Sequence, residues 1–110
     1  MSIQVSSKQV GSEAVVYIDG HIDAHSSPVL RRELAKLFGS SLQTIRVQLD
    51  DVRQMDSSGI ATLSEGLQWS RRSGGRFVLS GLSKPIADVL ELAKLDQVFD
   101  IDQHAGGGRR

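Results

Sequence analysis

Residues 44–63 read TIRVQLDDVRQMDSSGIATL. The first six alternate, with Ile45, Val47 and Leu49 on one side, as in a half-buried β-strand. DDVRQM then leads out of the strand. From Ser57 to Arg72, Ile60, Leu63 and Leu67 recur at helical spacing, the other positions are polar or small, and Gly74-Gly75 closes the helix. A strand running directly into a helix is half of a β-α-β unit, so this stretch sets the fold class. It also puts Asp56, Ser57 and Ser58 at a helix start, where Ser and Asp oxygens accept bonds from orphan backbone N–H groups.

Working outward, the neighbours follow the same logic. IQVSSKQV (3–10) alternates weakly and suits an edge strand; Gly11-Ser12 supplies a turn. AVVYIDG (14–20) has four consecutive β-favouring residues, Val15 to Ile18, and reads as a more buried strand that completes a hairpin. SSPVLRRELAKLFG (26–39) starts like a helix, with Ser27 as N-cap and Pro28 at the first helical position. Leu30, Leu34 and Leu37 or Phe38 form its stripe, and Gly39 stops it. RFVLSG (76–81) is a further strand. SKPIADVLELAKL (83–95) is a capped helix with Ile86, Val89, Leu90 and Ala93 inward, and VFDI (98–101) a short last strand. The order β-β-α-β-α-β-α-(β) predicts an α/β domain. Its sheet is mixed and four- to five-stranded, with an N-terminal hairpin, about three main helices and right-handed crossovers. The domain spans 1–102; 103–110, ending HAGGGRR, is expected to be disordered.

Composition narrows the function. The chain has 110 residues, enough for one modest core, with 13 basic against 13 acidic residues. That balance gives no electrostatic case for nucleic-acid binding. No apolar run is long enough to span a membrane, and the N-terminus has no signal-peptide profile. The absence of cysteine excludes disulfide and thiolate chemistry. A soluble cytoplasmic protein is expected.

Catalytic constellations are missing. There is no Gly-x-Ser-x-Gly elbow and no phosphate-binding glycine loop, so an enzyme is not expected, and no cofactor. DGHIDAH (19–25) alternates Asp19, His21, Asp23 and His25, which in an extended segment would share one side. Their chemistry suits zinc or iron(II), but the spacing matches no established ligand motif, and a solvated loop is the preferred reading. Trp69 is expected to be partly packed or surface-facing. Arg71, Arg72 and Arg76 suit the negative end of a helix; the alternative is an anionic docking patch. Asp56-Ser57-Ser58-Gly59 can be a cap and nothing more. It can equally carry a switch, because a phosphoryl group there adds up to about two negative charges at a surface.

Those residues also carry a resemblance. MDSSGIATL after IRVQLDDVRQ is similar to the STAS domain of bacterial anti-sigma factor antagonists, whose pattern is an acid, Ser-Ser or Ser-Thr, Gly and an apolar residue. YIDGHIDAHSSPVLRREL (17–34) resembles the family's Gly-x-Leu/Ile-Asp segment and first helix. The resemblance implies a protein that binds an anti-sigma factor, itself a GHKL-type serine kinase, and is released when that kinase phosphorylates it. A PP2C-type phosphatase would reverse the modification. By motif position the acceptor is Ser57, with Ser58 the runner-up. Asp56 would help position the hydroxyl, and Asp23 would lie in a neighbouring loop. Asp23, Asp56, Ser58, Gly59 and Ile60 are the implied partner-binding residues. Ala61 departs from the second glycine of many antagonists. The alternative use of the fold is a constitutive scaffold subunit of a transport ATPase or stressosome-like complex.

Overall fold

The computed structural model describes residues 3–102. Its elements are β1 (Ile3–Val10), β2 (Glu13–Ile22), α1 (Ser27–Phe38), β3 (Thr44–Met55), α2 (Ser57–Ser73), β4 (Arg76–Ser80), α3 (Lys84–Leu92) and β5 (Asp100–Asp102). The five strands lie side by side in chain order. β1 and β2 are antiparallel, joined through Gly11 at φ +62°; each later pair is parallel. The predicted mixed sheet, hairpin and three helices are all present.

The core forms on one face. Ala14, Val16 and Ile18 of β2, Ile45, Val47 and Leu49 of β3, and Phe77 and Leu79 of β4 meet Leu30, Leu34 and Leu37 of α1 and Leu63 and Leu67 of α2. β2 is therefore buried on alternate residues rather than along a continuous run: Val15 is half-buried and Tyr17 is 45% exposed. Across the other face, Arg46 ties three strands. Its Nε donates to Glu13 Oε2 at 3.1 Å, and its Nη1 donates to Ser80 Oγ at 3.1 Å and Asp102 Oδ2 at 2.7 Å. Partial burial of Arg46 disfavours its charge, but these carboxylates outweigh that and raise its pKa.

β3 continues through the segment that reads as its exit. Against β2 it gains two residues, with register shifts between Tyr17 and Asp19 and between Gly20 and His21. Leu49, Val52 and Met55 thus return to the core every third residue instead of every second. These bulges erase the alternation that marks a strand in sequence. On its β3 side, β4 pairs only with Thr44–Gln48. Beyond it, α3 packs against β3 and adds Ile86 and Leu90 to the core.

Three details of the helices differ from expectation. The small residues of α2 form its buried stripe: Gly59, Thr62, Gly66 and Ser70 are buried together with Leu63 and Leu67, and Ile60 is only half-buried. A Cβ on Gly66 would stand 2.8 Å from Phe77 Cζ and 3.3 Å from Leu34 Cδ1, so glycine permits the close approach of α2 to α1 and β4. The N-cap of α1 is Ser26, not Ser27, and Ala93 is the exposed C-cap of α3 rather than a core residue. Gly74 ends α2 as expected, at φ +78°.

Leu34 is fully buried where α1 meets α2 and the sheet. Leu34→Ala is expected to cost about 2–5 kcal/mol in urea denaturation, with an unchanged denaturant slope.

Candidate functional site at the head of α2

The question posed by two serines at a helix start has a definite geometric answer. Neither caps the helix. Asp56 does: it is extended (φ −104°, ψ −168°), and its Oδ1 accepts from Ser58 N–H at 2.8 Å and, more weakly, from Gly59 N–H at 3.4 Å. Ser57 is the first helical residue. It is exposed, and its hydroxyl makes no hydrogen bond among the described residues. Ser58 is half-buried, and its carbonyl accepts from Thr62 Oγ1 at 3.0 Å.

The head of α2 is anchored from below and from the side. Gly59 is buried against the strand ends: a Cβ there would lie 2.5 Å from Met55 Cγ and 2.7 Å from Ile22 Cγ2. Asp56 N–H donates to Ile22 O at 3.1 Å, tying the helix start to the end of β2. The adjacent loop is knotted by its own polar groups. Asp23 Oδ1 accepts from His25 N–H at 2.9 Å and Ser26 N–H at 3.0 Å. Ser26 Oγ donates to His21 O at 2.7 Å and accepts from Asp23 N–H at 2.9 Å. The Ser26 amide, aided by the His25 amide and the Ser26 hydroxyl, holds the Asp23 carboxyl below its ordinary value of 3.8; partial burial opposes this and loses.

Asp23 and Asp56 line one cavity of about 300 Å³. Its apolar lining comes from Ile22, Met55, Ile86 and Val89, and Arg53 and His21 also line it. The structure thus brings Asp23 to the same hollow as Asp56 and sets Ser57, Ser58, Gly59 and Ile60 on the adjoining first turn. The α3 residues Pro85, Ile86 and Val89 were not readable as part of the site, because nothing local in their sequence says which strand end α3 will lie against. Among the described residues, no group of three or more His, Cys, Asp or Glu side chains is placed to hold a metal ion, DGHIDAH included. Asp23 spends its carboxylate on the loop's own amides.

The family profile named STAS domain matches residues 4–106. The chain belongs to the STAS domain family. This STAS domain is 32% identical over 108 residues to the anti-sigma-B factor antagonist of Bacillus subtilis strain 168, covering 98% of both chains. Its fold is shared by an anti-sigma factor antagonist from Mycobacterium paratuberculosis at a TM-score of 0.82 and 20% identity, covering 90% of this chain and 84% of that one. The phosphorylated form of the Bacillus cell fate determinant SpoIIAA superposes at a TM-score of 0.72 and 18% identity, covering 97% of this chain and 98% of that one. No helix among the described residues is long and apolar enough to cross a membrane.

Two measurements check the site. In urea, Asp56→Ala is expected to lose about 1 kcal/mol, the usual cost of removing a cap, while Ser57→Ala stays within about 0.5 kcal/mol. The His25 and Ser26 amide resonances are expected to titrate together with a midpoint below pH 3.8. The depressed value means that the loop's stabilisation is present above the unfolded carboxyl's pKa and disappears as pH falls through the folded one.

Proposed function

We propose that this chain is an anti-sigma factor antagonist whose partner binding is switched by phosphorylation of Ser57. Unphosphorylated, it captures an anti-sigma factor of the GHKL serine-kinase type through the first turn of α2 and the hollow beside it. That capture frees a sigma factor for transcription. The kinase modifies Ser57 and is released; a PP2C-type phosphatase resets the protein. The chain is the substrate in this cycle and contributes no catalysis. The cycle is a cytoplasmic one, as control of transcription requires.

The observation that carries this reading is the exposed, unbonded hydroxyl of Ser57 beside a cap already filled by Asp56. A phosphoryl group at Ser57 would find the Ser58 and Gly59 amides already engaged by a carboxylate. Two of the helix start's free amides are therefore already spent, and the new charge is less fully compensated there. About two further negative charges would be added near Asp23 and Asp56 and presented outward. A partner seated there would have to desolvate them, which is costly without matching cations. Ser58, half-buried, is the weaker acceptor. Support also comes from the relative named as an anti-sigma-B factor antagonist, which spans nearly the whole chain, and from a structural neighbour solved in a phosphorylated form.

Incubation with a cognate anti-sigma kinase and ATP, followed by mass-spectrometric mapping, is expected to place phosphate on Ser57. Modification at neither Ser57 nor Ser58 would end the proposal. By calorimetry, Ser57→Asp is expected to bind that kinase at least tenfold more weakly than wild type, and Ser57→Ala to bind within about threefold. Unchanged affinity for Ser57→Asp would remove the electrostatic mechanism.

A further inference from the structure

Far from Ser57, the C-terminal ends of α1 and α2 flank a second, shallow and open hollow of about 390 Å³. It is lined by Ala35, Phe38, Gly39, Trp69, Arg72 and Ser73. Its floor is aromatic and braced. The Trp69 ring meets Phe38 edge to face at 5.4 Å between centroids, and Phe38 stacks on the buried Phe77 at 6.3 Å. Trp69 and Phe38 are each only half-buried, so their open faces line the hollow. Rigid, partly exposed aromatic surface beside an arginine is the chemistry of an interface anchor point.

The charge of this hollow is one-signed. None of its lining residues is acidic. Of the three arginines in RRSGGR, Arg76 is taken by Asp100. Arg71 and Arg72 are exposed and have no carboxylate partner among the described residues. The carboxylate of Glu65, one turn of α2 before Trp69, is occupied by Arg31 at 2.8 Å. Arg72 combines with the Trp69 face to suit a carboxylate held next to an apolar side chain.

We propose that this hollow is a second docking surface, which takes a short acidic segment of a partner protein with one apolar side chain seated on Trp69 and Phe38 and a carboxylate on Arg72. It lies about 22 Å along α2 from Ser57, beyond two Debye lengths at physiological salt. Binding here is therefore independent of the state of Ser57 and can hold a partner while the other end of the helix is modified.

Trp69 is the only tryptophan, so intrinsic fluorescence reads the hollow directly. The probe is a blocked peptide of six glutamates with a central leucine, its control the same peptide with glutamine. The acidic peptide is expected to shift Trp69 emission and the Ser70–Gly75 amide resonances, with an affinity at least tenfold above the control and falling with salt. Arg72→Glu, at an exposed position, is expected to weaken it at least tenfold, and Ser57→Asp to leave it within twofold. Equal binding of the glutamine peptide, binding that maps elsewhere, a response only to anionic lipid vesicles, or no binding at millimolar peptide would each overturn the proposal.

Discussion

One carboxylate decides what the rest of this molecule can do. By accepting the Ser58 and Gly59 amides, Asp56 satisfies the start of α2 and relieves both serines of that duty. The hydroxyl that follows it is left exposed and without structural work. A helix capped by Ser57 itself would lose its cap on modification. Here the capping group and the group open to change are adjacent but separate, so charge can be added to the surface without unbuilding the fold beneath it.

The remainder of the domain holds that carboxylate in place. Gly59 must be glycine because Met55 and Ile22 leave no space for a Cβ. Asp56 N–H is fixed on Ile22 O, and the Asp23 loop is tied by its own amides. β3 runs on past the end of β4, and its two extra residues against β2 deliver Met55 to the core below the helix. α3 fills the space beside that extension and supplies a wall of the hollow. Strand irregularity, glycine contact and cap are one arrangement rather than three.

Much of this was legible in the residues. The alternation of Ile45, Val47 and Leu49, the helical spacing of Leu63 and Leu67, and the Gly74 stop belong to local periodicity, which sequence displays directly. The bulged half of β3 did not, because Leu49, Val52 and Met55 follow a three-residue spacing that looks like neither strand nor helix. The burial of Gly66 and Ser70 was hidden for a different reason: small residues read as polar filler until the close approach of Phe77 and Leu34 is known. At the site, the motif located Asp56, Ser57 and Asp23, but not which of three oxygen-bearing side chains caps the helix. Asp and Ser are near-equal caps in isolation, and only the backbone geometry at Asp56 separates them.

The proposed switch requires Ser57 to carry new charge while the Asp56 cap stays intact. The direct measurement is a comparison of amide spectra and urea stability for the unmodified and stoichiometrically Ser57-phosphorylated protein. The Ser58 and Gly59 amides are expected to keep their capped chemical-shift pattern, and stability to change by less than about 1 kcal/mol. Loss of those capped resonances, with melting of the first turn of α2 or a larger drop in stability, would contradict the account. The proposed switch would then have to work by unfolding the helix start, not by charging an intact surface.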